Sequence, residues 1–120
     1  MLDVIKVPAM PNNIDFFGKL GEAGSKLEKG IDYSQFKHGD LIYGLYAVID
    51  PDYANKGYSL PFWWQCLSVG KVSGWRYYFS RISSPISLKM VQKLGMEVVS
   101  EVDFVDGDLK EKFWMVRLDF

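Results

Sequence analysis

Between Leu41 and Ile49 the chain runs LIYGLYAVI, without a charge, and the turn-rich DPDYANKGYS follows at residues 50 to 59. A near-continuous apolar and β-prone run suits a strand covered on both faces rather than the alternating strand of a one-sided sheet. A central strand over 41–49 is therefore expected. Ser59 stands where an N-cap belongs and Leu60 and Pro61 open a first turn. Trp63 or Trp64, Leu67 and Val72 then continue a helical stripe up to Gly74. WRYYFSRI, residues 75 to 82, is aromatic and β-prone and brings the chain back as a second strand through a right-handed crossover. The unit so defined is βαβ.

The flanking segments complete an α/β (α+β) arrangement. Residues 13 to 29 place Ile14, Phe17 and Leu20 at helical spacing, and a polar connection, GIDYSQFKHGD, leads on to the strand. Ser83 or Ser84 caps a third helix with Pro85 in its first turn, Ile86, Met90, Val91 and Leu94 on one side, and Gly95 as its stop. EVVSEVDFV and KFWMVRLDF flank Asp106-Gly107-Asp108 and are expected to pair as an antiparallel hairpin. The fold expected is a mixed sheet of about four strands around the βαβ unit, with flanking helices. Residues 1–120 form a single domain, 1–40 a leader with one helix and 41–120 the principal half.

Composition removes several classes of function. At 120 residues, 48% hydrophobic and 16% aromatic, the chain has ample material for one core. A net charge of -1 and a pI near 5.8 leave no basic stripe to displace counterions from a nucleic acid. The run Leu41 to Ile49 is far short of the roughly 20 apolar residues that cross a bilayer. MLDVIKVPAM lacks a charged n-region and a long h-region, so a secretory signal is not expected, and the expected location is cytoplasmic. A single cysteine, Cys66, forms no internal disulfide and no thiolate cluster. Set among Trp64, Leu67 and Val69, it reads as a small buried hydrophobe. One histidine, His38 in KHGD, makes no ligand set with it, so no metal is expected. His38 reads as a solvated loop residue, with a general base as the alternative.

A strand, a short glycine-bearing loop and a helix N-terminus together form an anion site, because first-turn N–H groups lack partners and the helix dipole adds positive potential. Lys56 adds charge, whereas Asp50 and Asp52 oppose an anion. From the residues alone, a phosphate cradle and an ordinary β-to-α turn both stand. Trp63 and Trp64 fit either an aromatic pocket or a core stripe. Ser83, Ser84 and Ser87 fit either capping or contact with a substrate. Lys71, Lys89 and Lys93 read as solvated charges.

Taken together, residues 43 to 105 resemble the GNAT N-acetyltransferase superfamily. YGLYAVIDPDYANKGYSLPFW is similar to its central strand, "V-x-P-x-Y" and coenzyme loop. SSPISLKMVQKLGMEVVSEVDF is similar to its later helix, "K-L-G-F" and strand, with KLGM at 93 to 96. Two hydroxyls four apart, Ser83 and Ser87, resemble the arylalkylamine N-acyltransferase branch in particular. The resemblance covers the chain from Leu41 onward and implies an acyl-CoA-dependent enzyme that transfers acetyl from acetyl-CoA to a small-molecule amine. A catalytically inactive GNAT-like interaction or regulatory module is the alternative. It further implies that pantetheine lies against Ala47, Val48 and Ile49 in a gap between splayed parallel strands. The pyrophosphate then sits on Asn55, Lys56, Gly57, Tyr58 and Ser59, and Ser83 and Ser87 are the catalytic candidates.

This chain departs from the pattern at the loop, where Ala54 stands in the usual arginine or glutamine position and Asn55 and Ser59 replace small residues. Val91 stands where many members carry a tyrosine that protonates the departing thiolate. The family's first strands have no counterpart before Leu41, so the strand at 41–49 is expected to leave an edge that a second copy covers in a symmetric dimer.

Overall fold

The computed structural model describes residues 14–45 and 47–120. The N-terminal stretch read against a secretory signal, Asn13 at the start of the first expected helix, the Ile14 side chain and Tyr46 lie outside the described residues. The elements, in chain order, are α1 (Ile14–Glu28), β1 (Leu41–Gly44), α2 (Ser59–Val72), β2 (Tyr77–Ile82), α3 (Pro85–Lys93), β3 (Glu97–Asp106) and β4 (Leu109–Asp119). Single 3-10 turns occupy Tyr33–Gln35 and Pro51–Tyr53.

The sheet order is β1-β2-β4-β3, with β1 and β2 parallel and the other neighbours antiparallel. The expected mixed four-stranded sheet, βαβ unit and C-terminal hairpin are all present. The hairpin closes through Gly107 and Asp108, and only Gly107 there adopts a left-handed backbone (φ 58°), as a Gly-X two-residue turn requires. Both strands run further toward the turn than their hydrophobic stretches indicated, because the β ladder extends through polar positions, as in the pairs Asp103–Lys112 and Phe104–Glu111.

Period-two alternation on β2 and β4 sorts the core into two layers. Ile42, Tyr78, Ile82, Trp114, Val116 and Leu118 face Leu67 of α2 and Val91 of α3. Phe79, Met115, Tyr77 and Phe113 face the other way, toward Leu27 of α1. Helix α1 buries Ala23 and Leu27 and places Phe16 edge-on to Phe104, with ring centroids 5.7 Å apart. The face is thus set by Phe16 rather than by Phe17, which is exposed. Both phenylalanines fit a helical stripe, and only the position of β3 selects between them.

Three further expectations are corrected. Strand β1 ends at Gly44 instead of Ile49, and it lies at an edge of the sheet, not at its centre. Among the described residues that follow it, none pairs in the ladder, and Leu45 is 78% and Val48 77% exposed. Helix α2 is apolar all round, and only Trp63, Leu67 and Gly70 turn to the sheet. Val72, Trp64 and Cys66 are exposed, as is Ile86 on α3. Gly70 lets the helix pack closely there: a Cβ would come within 3.2 Å of both Ile42 and Phe120, whose side chains would have to give slightly. The strand beginning at Trp75 starts instead at Tyr77, because Gly74 (φ 89°) and the Trp75 N–H donating to the Gly70 carbonyl complete the end of α2.

Candidate functional site

Strands β1 and β2 run together for four pairs, from Leu41↔Tyr77 to Gly44↔Ser80. At the last of these the Ser80 hydroxyl donates to the Gly44 carbonyl (3.0 Å). Beyond it β2 continues to Ile82 while the other chain leaves the ladder, and a cleft of about 260 Å³ opens on the side of α2 and α3. Ala47 and Ile49 form one wall, Ser59 and Trp63 of α2 another, and Ser83 and Ser87 close the far end.

The seating of the Tyr78 side chain against β1 at this point depends on Gly44. A Cβ there would overlap the Tyr78 hydroxyl, which lies against the Gly44 backbone beneath the mouth of the cleft. Burial pushes the Tyr78 phenol up to about 12, with the Ser80 hydroxyl opposing the shift, so the phenol holds its proton. The Tyr78 ring is fixed by Trp63, 6.0 Å away and edge-on.

Of the sequence-derived site residues, Ala47, Ile49, Ser59, Ser83 and Ser87 converge on this cleft. Val48 points to solvent. Asn55, Lys56, Gly57 and Tyr58 do not line the cleft and form the loop that enters α2. That loop has a defined shape. The Asp50 carboxylate accepts the Asp52 N–H (2.9 Å), and the Tyr53 and Ala54 N–H groups donate to the Asp50 and Pro51 carbonyls. Asn55 (φ 58°) and Gly57 (φ 80°) then adopt left-handed backbones on either side of Lys56. Among the described residues, no N–H from Asn55 to Ser59 donates to a backbone carbonyl. Lys56 places its ammonium 5.7 Å from the centre of the Tyr53 ring.

Ser59 is not the cap of α2. The N-cap is Tyr58, in a helical conformation and without a side-chain cap bond, which leaves Ser59 in the first turn with its side chain toward the cleft. On α3 the cap is Ser84, whose hydroxyl accepts the Ser87 N–H (3.4 Å). Ser83 is thereby exempt from capping, and the Ser87 side chain faces the cleft. Val91 is wholly buried between Leu67 and Tyr78 and brings no proton donor. His38 lies exposed in the turn before β1, away from the cleft. Among the described residues, no group of three metal-ligating side chains occurs, and no helix is long and apolar enough to cross a membrane.

Sequence reasoning missed Leu45, Ser80, Arg81, Ile82 and Met90, which also border the cleft. The alternation in YYFSRI would have placed Ser80 and Ile82 on the Tyr78 face. That this face opens into a cleft follows only from where β1 stops.

The chain resembles solved acetyltransferase structures. It superimposes on arylalkylamine N-acetyltransferase 2 of Aedes aegypti with a TM-score of 0.71, at 16% identity over 86% of this chain and 54% of that one. The polyamine N-acetyltransferase of Drosophila melanogaster gives 0.68, at 14% identity over 87% of this chain and 56% of that one. The Bacillus subtilis acetyltransferase in complex with CoA gives 0.59, at 12% identity, 70% of this chain and 64% of that one. No protein-family model matches the chain, and no curated protein matches it in sequence. The fold is that of the GNAT acetyltransferases. The chain spans somewhat more than half the length of the two insect enzymes.

Proposed function

We propose that this chain is the coenzyme-binding portion of an acetyl-CoA-dependent N-acetyltransferase acting on a small-molecule amine. The observation that carries the reading is the parting of two parallel strands after Gly44↔Ser80, with a cleft opening at the gap. Backbone groups of Ala47, Val48 and Ile49, the segment that runs past the cleft, hydrogen-bond pantetheine. The N–H groups from Asn55 to Ser59 at the start of α2, with Lys56 swung off Tyr53, hold the pyrophosphate. A neutral amine attacks the thioester carbonyl. The C–N bond forms, the C–S bond breaks, and coenzyme A leaves as its thiol with the proton given up by the amine. A backbone N–H at the gap stabilises the oxyanion, and Ser83 and Ser87 position the acceptor and pass its proton. Positioning accounts for most of the rate.

Isothermal titration of acetyl-CoA into the purified chain tests this. Micromolar binding is expected, weakened roughly tenfold in Lys56→Ala by loss of one charge-assisted phosphate contact. It is expected to be lost in Gly57→Val, since φ 80° strains any side chain. No heat of binding in the unaltered chain rejects the reading.

A second reading, a GNAT-like module that binds without turnover, is favoured by Val91, a wholly buried apolar residue at the position where the resemblance leads one to expect a proton-donating tyrosine. Turnover with an amine separates the two. Among the described residues the outer edge of β1 has no ladder partner, and with Leu45 and Val48 exposed beside it this supports a homodimer formed across this strand. Sedimentation that finds only monomer at high micromolar concentration excludes it.

A further inference from the structure

A second cleft, of about 290 Å³, opens on the opposite face of the sheet, between α1 and the ends of β1 and β2. Leu45, Arg81, Ile82 and Ser83 border both clefts, so the two meet where the strands part. Under the acyl-transfer reading above, on which this inference rests, the thioester reaches the junction from one side and the acceptor from the other.

The walls of this second cleft are apolar: Leu20 and Leu27 of α1, Phe113 of β4, and Leu45. Among the described residues that line it, Arg81 is the one ionisable side chain. The guanidinium is held from behind, with Nη2 2.8 Å from the Glu28 carboxylate, which also accepts the Tyr43 hydroxyl (3.1 Å). Glu28 itself does not line the cleft. It borders a separate depression with Ser25, Lys26, Lys29 and Tyr33. The Nη1 edge lies against Gly24, where a Cβ would come within 2.6 Å of it. A glycine inside a helix costs about 1 kcal/mol relative to alanine, and here it makes room for the guanidinium. A guanidinium carries five donors in a planar fork that matches a carboxylate. With one edge fixed by Glu28, donors remain on the other.

We propose that this cleft selects an acceptor amine that carries its own carboxylate beside an apolar or aromatic group, as an amino acid does. The carboxylate pairs with the free edge of Arg81, and the apolar part packs on Leu20, Leu27 and Phe113.

The test is a matched pair of acceptors, L-phenylalanine and phenethylamine, which differ by the carboxylate. The measurement is release of the coenzyme A thiol from acetyl-CoA. The expected kcat/KM is roughly tenfold higher for L-phenylalanine, the effect of one charge-assisted pair at a half-exposed site. Arg81→Lys keeps this order with a smaller ratio, and Arg81→Glu reverses it. Since Arg81 is nearly half exposed, these variants are expected to fold, which far-UV circular dichroism checks. Equal or faster turnover of phenethylamine by the unaltered chain overturns this proposal and leaves acyl transfer standing. No thiol release with either acceptor overturns the acyl-transfer reading and this proposal with it.

Discussion

Gly44→Ala is expected to lower stability by about 3 kcal/mol and to abolish acetyl-CoA binding, although it adds a single methyl group. The added carbon overlaps the Tyr78 hydroxyl and lies 2.6 Å from the ring carbon that bears it. An exposed side chain would swing away. Tyr78 has no such freedom, because it is packed with Leu67, Ile82 and Val116 and edge-on to Trp63. The strain therefore passes to the backbone, and the Gly44↔Ser80 pair with its Ser80 hydroxyl bond is the place that gives. That pair fixes where the strands part, so the cleft distorts as well. Urea unfolding should show a lower midpoint at unchanged slope. Adding Tyr78→Phe to Gly44→Ala removes the clashing oxygen and should restore part of the loss, as a positive coupling in a double-mutant cycle. Additive effects of the two substitutions would mean that this contact is not what excludes a side chain at position 44.

Phe79→Ala is expected to cost about 3–5 kcal/mol, a large part of the total stability of a domain this size. Phe79 is 1% exposed and forms the middle of the α1-side core with Leu27 and Met115. Its ring lies 5.7 Å from Phe36 and 6.1 Å from Tyr33, and the Arg117 guanidinium stacks 5.5 Å from its centre. Truncation leaves a cavity that neither the sheet nor the 33–36 turn can fill without breaking other contacts. Chemical denaturation followed by tryptophan fluorescence measures it. A loss below about 1 kcal/mol would show that this layer does not hold the fold.

Much of this molecule was legible in the residues. KLGM gave the end of α3 because Gly95 (φ 91°) can take the left-handed position that lets the Gly95 and Met96 N–H groups close the helix. The hairpin followed from Asp-Gly between two β-prone runs, and the βαβ unit from an apolar strand, a turn and a helix in order. The lining of the cleft was legible in part: Ser83, Ser87, Ala47 and Ile49, singled out by the family resemblance, border it. Arg81 and Gly44 were missed. An arginine in a strand and a glycine in an apolar run have no local signature, and each draws its role from a residue far along the chain, Glu28 and Tyr78 respectively.

The order and type of the elements are local properties, since turn formers, caps and periodicity act over a few residues. That LIYGLYAVI splits at Gly44 into a strand and a cleft wall is a long-range outcome. An apolar residue has the same pattern whether it fills a core or lines a pocket, and the distinction lies in whether β2 remains beside it. Tertiary structure likewise placed α1 with Phe16 inward and brought Arg81 to the junction of two clefts, because both depend on the distance between elements far apart in the chain.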